Sequence, residues 1–152
     1  MRKLNEKQIV LASHNKGKLK EIGHLLKPFG ISVISASDLG LDEPEETENT
    51  YAGNARIKAH FAAKASGKPA LSDDSGFSVE ILDGAPGVYS ADWAETSNGR
   101  NFSMAMSKVW DKIQHAEKPC KAKFCCTLCL AWPDGHDELF EGSINGEIAW
   151  PP

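Results

Sequence analysis

The spacing of apolar and polar positions changes several times along the chain, and each change predicts an element. Gln8 to Ala12 is a short apolar run that fits a buried strand. Ser13, His14 and Asn15 follow as turn and cap residues. Helical spacing then runs from Gly17 to Lys27, with Leu19, Ile22 and Leu26 on one face and Leu25 beside them, until Pro28 and Gly30 stop it. Ile31 to Ala36 predicts a second strand, and Asp42 to Thr50 is an acidic loop. Tyr51 to Ser66 is rich in alanine, the best helix former, and is closed by Gly67 and Pro69.

The second half is more extended. Ala70 to Ser72 reads as a short strand ending in Asp73-Asp74-Ser75-Gly76, and Phe77 to Leu82 as a further extended piece. Asp83 to Gly87 is a turn-rich loop. Asn101 to His115 predicts a helix with Phe102, Met106, Val109, Trp110 and Ile113 on one face. Phe124 to Trp132, the Pro133-Asp134-Gly135 turn and Glu138 to Ser143 predict a hairpin, with one more strand over Ile144 to Trp150. Strands alternating with helices and followed by a hairpin imply an α/β domain with a mixed sheet, and no linker or internal repeat divides it.

Composition agrees with a globular domain: 152 residues, 41% apolar and 25% charged. Seventeen Lys and Arg against 21 Asp and Glu leave a formal charge of −4, which argues against general binding of nucleic acid. No apolar run approaches the ~20 residues that span a bilayer, so no membrane partner is expected. The polar start from Met1 to Lys7 lacks the apolar core of a signal peptide, and a cytoplasmic location is the expectation. Cys126 and Cys129 form a C-x-x-C pair inside a predicted strand, where their side chains would point to opposite faces. Cys120, Cys125, Cys126 and Cys129 are therefore expected as buried free thiols in a reducing compartment, not as a metal site.

Three clusters carry candidate chemistry. Ser13-His14-Asn15-Lys16-Gly17-Lys18 joins a strand to a helix, and Lys20 follows. Cations are disfavoured at a helix N-terminus, so lysines crowded there either remain solvated on an ordinarily capped helix or meet a bound phosphate. The pattern is not a Walker A loop. Asp73 and Asp74 end a predicted strand, where ligand sites of α/β sheets lie. They could hold Mg²⁺ or position a water; equally, they could form an Asx turn with Gly76 at positive φ. Glu43, Glu45, Glu46 and Glu48 form a loop that is solvated unless the fold brings it to the aspartates. Lysines, carboxylates and a hard cation together suggest phosphoryl or nucleotidyl chemistry. Among the histidines, only His14 lies in a candidate loop, and the four tryptophans are expected to pack.

Taken in order, these blocks resemble the Ham1/RdgB family of inosine triphosphate pyrophosphatases. Leu11 to Glu21 resembles the family's opening loop. Glu45-Glu46-Thr47, Asn54-Ala55 and Lys58-Ala59 resemble the second block. Ser72 to Gly76 and Gly84 to Ala91 resemble those that follow. The resemblance implies an elongated mixed sheet flanked by helices, with two lobes around a central cleft, in a homodimer. It also implies Mg²⁺-dependent cleavage of a non-standard purine nucleoside triphosphate (ITP, dITP or XTP) to monophosphate and pyrophosphate. Substrate would be held by Ser13, His14, Asn15, Lys16, Gly17, Lys18, Lys58 and Ser75. Glu46, Asp73 and Asp74 would handle metal, and Asp74 would be the general base. Gly53 and Asp92 depart from the family pattern, which often has an acidic residue and an arginine at those places.

The family pattern continues with an aromatic-Gly-Tyr-Asp-Pro loop and a Ser-His-Arg motif, and neither occurs here. With the apolar ending Ile148 to Pro152, the expectation is a C-terminally shortened member that keeps the phosphate and metal half of the site, lacks much of the purine-reading half, and hydrolyses weakly or not at all. The alternatives are a Maf-type nucleotide pyrophosphatase, which shares the opening S-x-N-x-x-K block, and a non-catalytic nucleotide-binding fragment.

Overall fold

The computed structural model describes residues 1–152. Its elements in chain order begin with strand β1 (Gln8–Leu11), helix α1 (Lys16–Leu26), strand β2 (Ser32–Ser35) and helix α2 (Tyr51–Ser66). Strand β3 (Ala70–Val79), strand β4 (Pro86–Gly87) and helix α3 (Ser90–Ala94) follow. Then come the short strands β5 (Glu95–Thr96) and β6 (Gly99–Arg100), helix α4 (Phe102–Ile113) and the long strands β7 (Lys121–Ala131) and β8 (Asp137–Glu147). The main sheet has the order β2-β1-β3-β7-β8, with β4 added alongside β3. It is mixed: β1 runs parallel to β2 and β3, whereas β4 is antiparallel to β3.

The chain divides into two units, Met1–Asp74 with Thr127–Phe140, and Ser75–Cys126 with Glu141–Pro152. In the first, β1 lies between β2 and β3, and Ile9, Val10 and Leu11 are almost wholly buried. Its core is built on small residues. Ala55, Ala59, Ala62 and Ala63 of α2 cluster with Val10, Ala70, Cys129 and Ala131 of the strands. Side chains of one carbon let the helix backbone lie close to the sheet, and Ser72 Oγ takes advantage by donating to the Ala55 carbonyl at 2.5 Å. Helix α1 buries less: Leu19, Ile22 and Leu26 are half-covered, and Leu25 is exposed.

In the second unit, Val79, Val109, Ile113 and Cys120 form the core, with Phe77, Trp93, Trp110 and Ile148 packed around it. Trp110 stacks on Trp150 at 5.4 Å between ring centroids, and the Lys118 ammonium sits 4.4 Å from the Trp110 ring. These tryptophan rings pack, as expected.

Several boundaries differ from expectation for definite reasons. Asp73 to Gly76 is not a turn. It continues β3 without a break, and Gly76 is absent from the glycines at positive φ. The strand stops at Val79, and Glu80–Leu82 forms a 3₁₀ turn in place of extended chain. Asp83, with φ 52°, and Gly84, with φ 86°, then reverse the direction. The expected apolar face of α4 is buried only near its C-terminal end, at Val109 and Ile113, while Phe102 and Met106 remain exposed. Ile144 to Glu147 extends β8 and is not a separate strand. Cys126 and Cys129 do point apart: Cys129 is buried and Cys126 exposed, and Cys125 is only partly covered, so two of the four thiols are outside the core. Burial, reinforced by the nearby Asp137 charge, pushes the Cys129 thiol up to about 12.

Asp137, at the start of β8, receives hydrogen bonds from Arg56 Nε at 3.2 Å and pairs with His60 Nε2 at 2.8 Å. Burial alone would raise its pKa, but the His60 hydrogen bond and the Arg56 charge outweigh it and hold the carboxyl below the ordinary carboxylate value. The folded protein therefore keeps this group ionised at lower pH than the unfolded chain does. Its contribution to stability is present above the unfolded pKa and is lost as pH falls through the folded one. Chemical denaturation of wild type and Asp137→Asn from about pH 5.5 to about pH 3 should show the wild-type advantage shrinking with acid. Parallel stability curves would contradict this.

Candidate active site

Within the first unit the candidate side chains form two groups, Lys18 with Asp73 and Lys58 with Glu46 and Asp74, while Ser75 opens the second unit. The cap of α1 comes first. Asn15 Oδ1 accepts from the backbone N–H of Gly17 at 2.8 Å and of Lys18 at 3.3 Å, and Ser13 Oγ accepts from the Asn15 N–H at 3.1 Å. Asn15 is thus committed to capping through its oxygen, and no acidic residue occupies the first turn of α1. Lys16, Gly17 and Lys20 lie exposed on that turn. His14 Nε2 lies 3.1 Å from the Leu41 carbonyl, which ties the loop after β1 to the start of the acidic segment.

Strand geometry then separates the two aspartates. Consecutive residues of β3 face opposite sides of the sheet. Asp73 forms an ion pair with Lys18 of α1. Asp74 is 8% exposed and faces α2, where Asn54 Nδ2 donates to its Oδ2 at 3.3 Å and Lys58 Nζ lies 3.8 Å from its Oδ1. Lys58 is itself buried, and its ammonium also forms an ion pair with Glu46 of the acidic loop. Two lysines therefore engage all three candidate metal-handling carboxylates. Glu46 and Asp74 share Lys58, and Asp73 takes Lys18. Ser75 follows Asp74 along β3 and is exposed.

A buried ammonium between two carboxylates marks a place where positive charge is favoured. Oxygen donors of this kind suit Mg²⁺, which commonly uses one or two carboxylates and takes its remaining ligands from water and phosphate. The residues fit such an ion in that sense, although no three His, Cys, Asp or Glu side chains converge as a ready-made cage.

Asn54 was not among the residues expected to form the site. Its signal was present in the sequence. Asn54 and Lys58 stand four apart on the same face of α2 as the alanines, and polar groups interrupting an apolar helical stripe must find buried partners.

Residues 9–152 match the Ham1 family, and the chain belongs to it. It is 61% identical over 145 residues to a dITP/XTP pyrophosphatase of Ruegeria pomeroyi, a match covering 94% of this chain and 71% of the relative. It is 57% identical to the dITP/XTP pyrophosphatase of Agrobacterium fabrum, over all of this chain and 73% of that protein. Its fold is similar to a HAM1 protein structure from Coxiella burnetii, with TM-score 0.89 and 35% identity over 97% of this chain and 75% of that one.

Removing the Lys58 charge leaves a buried carboxylate without its cation, a change that costs roughly 3 kcal/mol in comparable pairs. Urea unfolding of Lys58→Met should show a loss of that order, and adding Asp74→Asn should restore part of it. An unchanged midpoint in Lys58→Met would show that the pair contributes nothing.

Proposed function

We propose that this protein hydrolyses non-standard purine nucleoside triphosphates (ITP, dITP and XTP) to the nucleoside monophosphate and pyrophosphate, removing them from the nucleotide pool. The observation that carries this reading is Asp74, a buried carboxylate oriented by Asn54 and Lys58 in the same unit as a lysine-flanked helix N-terminus. The names of the relatives agree with it.

In this mechanism the triphosphate lies against the start of α1. Backbone N–H groups of the first turn and the positive end of the helix attract anionic oxygens. Ser13, His14, Asn15, Lys16, Gly17 and Lys18 line that end, and Lys18 exchanges Asp73 for phosphate. Lys58 contributes a second cation, and Ser75 contacts the substrate from the strand beyond Asp74. Asp74 accepts a proton from water, and the water oxygen forms a bond to the α-phosphorus. The bond from that phosphorus to the bridging oxygen breaks, and its electron pair leaves with pyrophosphate. Glu46 and Asp74 would hold Mg²⁺, which when bound screens the phosphate charge, while Asp73 stands on the Lys18 face of β3.

The reading extends to a homodimer in the cytoplasm. Exposed Phe124 and Ile144 in the second unit supply apolar surface of the kind a subunit interface covers, and the four cysteines are unpaired. No helix is long and apolar enough to cross a membrane.

Incubation with ITP and Mg²⁺, followed by separate assays of pyrophosphate and inorganic phosphate, tests the function. Pyrophosphate and IMP are the expected products, with chelation abolishing turnover. Asp74→Asn should lower the rate by about a hundredfold or more, within the range for a general base. Release of inorganic phosphate with IDP would contradict the proposed bond cleavage.

A further inference from the structure

We propose that Asn54 is a positioning residue that locks the acidic loop to Asp74, and that Gly53 is the opening that allows the loop to dock there. The inference deepens the reading above, since it rests on Asp74 as the group that takes the proton.

Asn54 is 3% exposed. Its Oδ1 accepts from the backbone N–H of Glu48 at 2.9 Å, and its Nδ2 donates to Asp74 Oδ2 at 3.3 Å. Chemistry fixes the orientation of the amide. A backbone N–H can only donate and an ionised carboxylate can only accept, so the flipped amide would face both partners with the wrong end. One planar group thus spans the loop and the strand. Asn54 is itself held by its backbone N–H, which donates to the Thr50 carbonyl at 3.1 Å.

Gly53 permits this arrangement. A Cβ there would stand 2.6 Å from Glu48 Cβ and 2.7 Å from Glu48 Cγ. The inner of these carbons follows the backbone, so any side chain at position 53 would push the loop away just where Glu48 reaches Asn54. Thr50 Oγ1 accepts from the Gly53 N–H at 3.0 Å and anchors the first turn of α2 beneath the loop. Glu46 lies two residues before Glu48 and pairs with Lys58, which also faces Asp74. The loop therefore has two connections to the same carboxylate, a neutral one through Asn54 and a charged one through Lys58. A shift of the loop that draws Glu46 toward a ligand is transmitted to Asp74 through both.

Asn54→Asp keeps an oxygen for the Glu48 N–H but sets a second carboxylate against Asp74. Asp74→Asn in that background restores an amide–carboxylate pair with its direction reversed. In thermal unfolding, Asn54→Asp should lower the midpoint by several degrees and the double variant should recover most of the loss. No recovery overturns the pairing. Amide hydrogen exchange at Glu48 should accelerate in both Asn54→Ala and Gly53→Ala, and retained protection overturns the docking role. With ITP, Asn54→Ala should lower kcat by about tenfold to a hundredfold, the loss expected for a small misplacement, while KM stays within about threefold. A loss that lies wholly in KM overturns positioning. Should Asp74→Asn alone leave turnover intact, the proton-accepting role fails, yet the unfolding and exchange results still decide the coupling. Should Asp74→Asn be inactive and Asn54→Ala retain full kcat, only the present inference fails.

Discussion

A carboxylate taken out of water requires compensation, and one face of one helix supplies two partners for Asp74. Asn54 and Lys58, four residues apart on α2, both turn toward the same strand residue. The rest of the local architecture follows from keeping that face close. The alanines at 55, 59, 62 and 63 bring the α2 backbone near the sheet, and the Ser72 hydroxyl ties strand to helix one alternation before Asp74. A larger residue in that alanine seam would act on the site without touching it.

Alternation along β3 gives the second constraint. Asp73 and Asp74 are neighbours in sequence yet serve different partners, because successive side chains of a strand face opposite ways. Lys18 from α1 answers one, and Lys58 from α2 answers the other. On the proposed reading Lys18 exchanges Asp73 for a phosphate oxygen, and an anion bound there accounts for lysines clustered at a helix N-terminus, a position that ordinarily favours acids.

Much of this was legible beforehand. Alanine content and the Gly67 and Pro69 stop gave α2 with its observed bounds, and hydrophobic spacing gave α1 to within a residue at each end. The ordered blocks from Leu11 to Ala91 also pointed to the family. What the sequence concealed was mostly local and polar. Asp-Asp-Ser-Gly reads as a turn by residue preference, but pairing within the sheet overrides that preference and carries β3 straight through. The face of α4 read as continuous, yet Phe102 and Met106 stay exposed. Residue pattern alone places Asn54 in a family-like block and on the alanine face of α2. Its role depends on where the Glu48 N–H lies, and backbone direction in an aperiodic loop leaves no mark on residue spacing.

The central claim is that water activated by Asp74 attacks the α-phosphorus. The most direct measurement is turnover of ITP in ¹⁸O-labelled water with mass analysis of both products. The account predicts the label in IMP and none in pyrophosphate. Label in pyrophosphate would place the attack on the β-phosphorus and contradict it.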